Sequence, residues 1–317
     1  MRALITGAGG FVGGHLTAYL LSNTDWELLG TVYPRPLEGP HPAPRLRLVH
    51  ADLRDPRRVQ ELIRGFEPGV IFHLAAQSFV PSSFADPWDT LENNVRSQLN
   101  LLEAVRRSGR STRMVVVGSN EEYGSPRPEE LPLTEESPLR PANPYAVSKV
   151  AQDFLGLQYH LAYGVDVVRI RPFNHTGPRQ SPRFVVPAFA SQIARIEAGL
   201  REPVVRVGNL DVARDFTDVR DIVRAYYLAA TEAESGEVYN LASGRPQSVR
   251  DLLETLLSFS TVEIQVEVDP DRYRPADTPV AYGSAEKFRR RTGWEPRIPF
   301  EQTLRDVLEY WRGQVGK

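Results

Sequence analysis

The chain has 317 residues, 41% hydrophobic and 25% charged, with a formal net charge of -2. That is core material for one large domain or two joined ones, and it excludes disorder as the dominant state. The lack of cysteine excludes disulfides, thiolate metal sites and thiol nucleophiles, and the balanced charge argues against non-specific nucleic-acid binding.

The first half alternates strand and helix patterns. Arg2–Thr6 reads as an apolar strand, and Phe11–Leu21 carries helical spacing. Further strands are expected at Trp26–Val32, Leu46–His50, Val70–Leu74, Met114–Val117 and Val165–Ile170. Helices are expected at Pro56–Gly65, Trp88–Arg107 and Tyr145–Tyr163. Five prolines make Pro34–Pro44 a rigid connector, and Ser125–Asn143 reads as a long loop. The rhythm predicts an α/β fold, a doubly wound parallel sheet over residues 1–170. Beyond Arg171 the pattern loosens. Helices at Val186–Gly199, Asp218–Thr231, Ser248–Ser258 and Phe300–Arg312 separate short strands at Val204–Val207, Val238–Leu241 and Val262–Val268. A smaller mixed α/β substrate domain is expected over 171–317, with 212–240 returning to the first domain. Apolar runs are too short to span a bilayer, and Met1–Thr6 lacks a signal-peptide pattern. A cytoplasmic protein without membrane or nucleic-acid partners, and without a metal, is expected.

Directly after the first strand, Gly7, Gly10 and Gly13 space a G-x-x-G-x-x-G loop ahead of a helix. Such a loop makes a tight turn, bares its backbone to a pyrophosphate and aims a helix N-terminus at the anion. The alternative is a ligand-free glycine turn, which its place in the first βα unit disfavours. Phe11, Val12 and Gly13 open the helix that would face the phosphates. The second strand ends in Thr31-Val32-Tyr33-Pro34-Arg35, with no carboxylate for a ribose 2′-hydroxyl and Arg35 as the nearest cation. This favours NADP(H) over NAD(H). Asp52, ahead of Leu53, either accepts from the adenine amino group or caps the next helix.

Only Lys149, Lys287 and Lys317 are lysines among 38 basic residues. Tyr145 and Lys149 stand one helical turn apart, and a chance Tyr-x-x-x-Lys is expected only about 0.1 times in such a chain. An ammonium beside a phenol and an oxidised nicotinamide both favour the phenolate, which makes Tyr145 an acid/base candidate. Ser119, after the fifth strand, can bind the substrate oxygen that Tyr145 protonates. Glu121 is a second acid/base or a loop carboxylate.

With these motifs in this order, the chain resembles the extended short-chain dehydrogenase/reductases that act on nucleotide sugars, over nearly its whole length. Arg171-Pro172-Phe173-Asn174-His175-Thr176-Gly177-Pro178, Val207-Gly208-Asn209-Leu210-Asp211, Arg214–Asp221 and Arg274-Pro275 are similar to the GDP-sugar reductase branch, beside the GDP-mannose 4,6-dehydratases. The resemblance implies a Rossmann domain and reduction of the 4-keto group of GDP-4-keto-6-deoxy-D-mannose by NAD(P)H, giving GDP-D-rhamnose. It assigns Ser119, Tyr145 and Lys149 to catalysis, Glu121 to the dehydratase base position, and Asn174, Asn209, Arg214 and Arg274 to the nucleotide diphosphate. It also implies a homodimer through the two long helices. A diphosphate suits arginine forks, and Arg214 and Arg274 are expected in loops. Rival readings are a nucleotide-sugar 4,6-dehydratase or epimerase and, more distantly, a non-catalytic dinucleotide sensor.

Overall fold

In a computed structural model, residues 1–34, 43–269 and 278–315 are described. Apolar strands β1 (Arg2–Thr6), β2 (Glu27–Val32), β3 (Leu46–His50), β4 (Val70–His73), β5 (Arg113–Val117), β6 (Val167–Pro172) and β10 (Val238–Leu241) form one sheet ordered β3-β2-β1-β4-β5-β6-β10. Every neighbouring pair in this sheet is parallel. Helices α1 (Phe11–Asn23), α2 (Pro56–Phe66), α5 (Ser97–Ser108), α6 (Pro144–Tyr163) and α8 (Val219–Thr231) cover its two faces. This is the doubly wound dinucleotide-binding order, reversing direction between β1 and β4.

Two boundaries differ from the sequence patterns for identifiable reasons. The apolar pattern begins a strand at Val165, but its N–H donates to the Tyr159 carbonyl at 3.3 Å and closes the end of α6, so β6 starts at Val167. The helix expected over Trp88–Arg107 is divided. A short α4 (Pro87–Leu91) runs into a π-helical turn at Glu92–Arg96 before α5 begins. The wider turn brings Asn94, fully buried, against α6, where its Nδ2 donates to Ser148 Oγ at 2.9 Å.

A second lobe is built on α7 (Val185–Glu197), β8 (Val204–Val207), α9 (Val249–Ser258) and α11 (Phe300–Arg312). Their apolar faces share one core that includes Phe189, Ile193, Val205, Leu253, Leu256 and Val307. Strand β9 (Ala213–Asp218) is flanked by β7 (Asn174–Thr176), β11 (Pro246–Ser248) and β13 (Val280–Ala281), while β12 (Gln265–Val268) pairs with β8. The chain crosses between lobes more than once: β10 pairs with β6, α8 packs on α1, and Phe288 and Trp294 sit in the core of the large sheet. Among the described residues no helix is long and apolar enough to cross a membrane.

One polar knot joins α6 to the sheet. Arg169 and Arg171 stand two apart on β6 and so point to the same face. Asp153 of α6 accepts from both, through Oδ1 from Arg169 Nη1 at 2.6 Å and through Oδ2 from Arg171 Nε at 2.9 Å. Arg171 Nη1 continues to Tyr123 Oη at 3.1 Å, which donates to Asn240 Oδ1 of β10 at 2.7 Å. Removing one member of a buried ion cluster strands the other charges in a low-dielectric interior. Asp153→Ala is therefore expected to lower unfolding free energy by about 3–5 kcal/mol in urea titrations; a loss below about 1 kcal/mol would contradict this account.

Candidate active site

Parallel pairing places the carboxyl ends of β1, β4, β5 and β6 along one edge of the sheet. At the direction reversal, Thr6 Oγ1 accepts from the N–H groups of Leu74 and Ala75 at 3.0 and 3.1 Å and pairs with His73 Nδ1 at 2.9 Å. Burial and the Lys149 charge pull the His73 imidazole down to about 3, so it is neutral in this knot. The glycine loop sits directly above. Gly7 has a φ of +69°, and a Cβ there would lie 3.1 Å from the Ala75 backbone. A Cβ on Gly13 would run into the Gly7 carbonyl, so glycine at both positions lets helix and loop meet. Gly10 is the N-cap of α1 and offers no side chain to the first-turn N–H groups, which begin at Phe11, Val12 and Gly13. Uncapped donors at a helix N-terminus, over a cradle without side chains, fit the pyrophosphate of a dinucleotide.

Just beyond β3, Asp52 is gripped by Arg54, whose Nε and Nη2 reach its carboxylate at 3.0 and 2.8 Å. These bonds hold the Asp52 carboxyl below its usual range. The helix-capping alternative for Asp52 fails, because Asp55 is the N-cap of α2 and accepts from Arg57 N–H at 2.9 Å. Leu53 is buried and its carbonyl accepts from Asn100 at 2.8 Å. Arg54 Nη2 also donates to Tyr33 Oη at 3.0 Å, putting beside the end of β2 a cation that the sequence reading did not single out. Arg35 lies outside the described residues.

Ser119, Tyr145 and Lys149 converge at the end of β5. Asn143 caps α6 through a 2.8 Å bond from Ala146 N–H, and Pro144 occupies the first turn, so Tyr145 enters the helix in a fixed orientation. Tyr145 and Lys149 are 8% and 4% exposed, and Ser119 is 7% exposed. The Ser119 side chain neighbours the Tyr145 phenol and favours its ionised form. Lys149 Nζ donates to the Val117 carbonyl at 2.8 Å and lies 5.8 Å from the Tyr145 ring centroid.

Burial raises the Tyr145 phenol of the protein alone above the ordinary value; Ser119 acts against that rise, while Glu121 and Glu122 add to it. Burial likewise lowers Lys149 to about 8, with Glu122 opposing it. The protein alone thus holds a protonated phenol and an easily discharged ammonium.

Glu121 Oε2 accepts from Asn143 Nδ2 at 2.9 Å, tying the Ser119 turn to the start of α6. The residue after it is the larger surprise. Glu122 is fully buried, its Oε1 accepts from Ser119 N–H at 2.8 Å, and its Oε2 stands 3.1 Å from Arg171 Nε. Sequence reasoning missed Glu122, Asp153 and Asn94. Two arginines alternating on an otherwise apolar parallel strand were the available signal, since both need buried counter-charge.

In the second lobe, Asn174 begins β7 and Arg214 lies on β9, not in a loop as expected. The charged wording Ala213–Asp218 concealed that strand, whose place is set by its partners β7, β11 and β13. Asn209 Oδ1 accepts from Asp211 N–H at 2.9 Å. Arg274 lies outside the described residues. Asp269 N–H donates to the Val207 carbonyl at 2.8 Å, and the Thr278 carbonyl accepts from Arg214 Nη1 at 2.5 Å.

A family model described as GDP-mannose 4,6 dehydratase matches residues 4–307. The chain is 39% identical over 315 residues to a GDP-6-deoxy-D-mannose reductase of Pseudomonas aeruginosa, spanning 99% of this chain and 98% of that protein. It is 31% identical over 328 residues to GDP-mannose 4,6 dehydratase 2 of Arabidopsis thaliana, spanning 97% and 86% respectively. The solved structure of RMD from Pseudomonas aeruginosa complexed with NADPH matches with a TM-score of 0.87 at 38% identity, covering 99% of both chains. The chain therefore belongs to the GDP-mannose 4,6-dehydratase family of the extended short-chain dehydrogenase/reductases, which are NAD(P)-dependent enzymes.

Proposed function

We propose that this chain reduces the 4-keto group of GDP-4-keto-6-deoxy-D-mannose with a reduced nicotinamide cofactor, giving GDP-D-rhamnose. The observation that carries this reading is the buried Tyr145 phenol placed beside Ser119 and Lys149 at the end of β5. A ketone reduction needs an acid at the sugar oxygen, and this phenol can supply it. The 39% identical GDP-6-deoxy-D-mannose reductase supports the same choice.

The bound cofactor supplies hydride to sugar C4, and the residues supply everything else. Ser119 Oγ accepts from Glu121 N–H at 3.2 Å, which orients its own proton away from the backbone and toward the ketone oxygen. Tyr145 gives its proton to that oxygen as negative charge builds on it. Lys149 stabilises the phenolate left behind and binds the cofactor ribose. Gly7, Gly10, Phe11, Val12 and Gly13 hold the pyrophosphate, and Asp52 and Leu53 hold the adenine. NADP(H) is the preferred form. The uncharged run Thr31-Val32-Tyr33-Pro34, the Arg54 guanidinium beside Tyr33 and the NADPH of the P. aeruginosa structure support that choice. Asn174, Asn209, Arg214 and Arg274 bind the GDP diphosphate.

A 4,6-dehydratase is the second reading, favoured by Glu121, which by resemblance to the dehydratases matches their base for the C5 proton. The division is experimental. With the 4-keto GDP-sugar, purified enzyme should consume reduced cofactor one-for-one, and Tyr145→Phe should lose at least about 100-fold in kcat while keeping cofactor affinity. Conversion of GDP-mannose without added cofactor, and no reduction of the ketone, would establish the dehydratase instead. Because Lys149 is charged below about 8 and neutral above it, kcat/KM should fall through an alkaline limb near that pH. A profile flat to about pH 10 would remove Lys149 from the mechanism.

The active unit is a homodimer formed through α4–α6. On α6, Val147, Phe154 and Leu161 recur every seven residues and are 43%, 52% and 73% exposed, with Trp88 of α4 also open to solvent. An apolar stripe of this kind fits a helix–helix interface. Sedimentation should report a dimer and Phe154→Asp should dissociate it; a monomeric wild type would refute the assignment.

A further inference from the structure

We infer that Glu122 is a positioning residue for catalysis, holding the Ser119 hydroxyl in register with Tyr145 by clamping the Ser119 backbone to the ion cluster of β6 and α6. The inference rests on the reading of Ser119 as the group that binds the sugar oxygen. Nothing in that reading assigns a role to Glu122. A fully buried carboxyl group on a one-turn segment is expensive unless it is paired and hydrogen-bonded; here Oε1 is hydrogen-bonded, while Oε2 has the charge contact with Arg171 and no hydrogen bond.

The geometry is a closed brace. Glu122 Oε1 accepts from Ser119 N–H at 2.8 Å, and Glu122 N–H donates back to the Ser119 carbonyl at 3.2 Å. Ser119 Oγ accepts from Glu121 N–H at 3.2 Å, so backbone and hydroxyl rotor are set by the same turn. The carboxylate lies flat against the bare α-carbon of Gly118, where any Cβ would collide with it. Gly118 N–H is fixed in turn by the Ile170 carbonyl at 2.7 Å.

The outer oxygen faces Arg171 of β6, which Asp153 of α6 also holds. Lys149 of α6 is the other charge that acts on Glu122. Burial and Asp153 push the Glu122 carboxyl well above the usual carboxylate range, and Arg171, the Ser119 N–H and Lys149 offset only part of that rise. Ser119 thus takes its position from β5, β6 and α6 together, the last being the helix that carries Tyr145 and Lys149. A displacement of about 1 Å at a reacting group can cost on the order of 100-fold in rate, which is the leverage this brace has.

The test is a double-mutant cycle on the full-length enzyme with the 4-keto GDP-sugar and NADPH. Glu122→Met keeps the volume and removes the acceptor, and Arg171 retains Asp153, Tyr123 and the Glu135 carbonyl. We expect Glu122→Met to lower kcat by about 100-fold with the NADPH Kd unchanged. Glu122→Gln, whose amide oxygen still accepts from Ser119 N–H, should recover to within about tenfold of wild type. In a Ser119→Ala background the methionine substitution should cost no more than about twofold further, because both act through one hydroxyl. Multiplying losses, a glutamine variant no better than methionine, or undiminished kcat in Glu122→Met overturns the inference. If Glu122→Met does not fold, Glu122→Asp, which withdraws the acceptor by one methylene, carries the same expectations in the same cycle. A wild-type enzyme inert toward the ketone refutes the reductase reading alone, and the cycle is then read on GDP-mannose consumption.

Discussion

Parallel strand pairing is the constraint on which the site depends. Seven strands running one way deliver their carboxyl ends to a single edge, so loops far apart in sequence become neighbours there. Thr6, His73 and Val117 close β1, β4 and β5 at that edge, and Asn174 stands just beyond the end of β6. Hydrogen bonds fasten these ends to other parts of the chain. The hydroxyl of Thr6 binds the first two residues after β4, and the Val117 carbonyl takes the Lys149 ammonium. An antiparallel sheet would send alternate loops to the opposite edge and scatter these groups.

Burial then sets the chemistry. Taking Tyr145, Lys149 and Glu122 out of water penalises whichever form of each is charged, so the phenol holds its proton and the ammonium loses some of its hold. A site of this kind stores an acid. A positively charged nicotinamide would tilt the same residues toward the phenolate, which is how one constellation can serve reductases, dehydratases and epimerases. Membership in a family that includes dehydratases, with 39% identity to a reductase, fits that shared apparatus.

Much of this was legible in the chain. The glycine loop is a spacing of three glycines within seven residues, and the Tyr145–Lys149 pair spans one helical turn, so local spacing reveals both. The strand rhythm of the first half is equally local, because strands buried on both faces are apolar runs. The buried charges were not legible. Glu122, Asp153, Arg169 and Arg171 look like surface residues until partners 16 to 49 positions away are known. Strand β9 escaped notice for the same reason, its polar composition being satisfied by neighbours from three other parts of the chain.

Sequence by itself determined the local elements, the glycine loop ahead of α1 and the pairing of Tyr145 with Lys149, since each follows from short-range backbone and side-chain geometry. Tertiary structure alone decided the burial of that phenol, the anchoring of Ser119 by Glu122 and the lodging of Arg214 on a strand. Those outcomes turn on desolvation and on charges brought together from distant segments, and both quantities come into being only when the chain has packed.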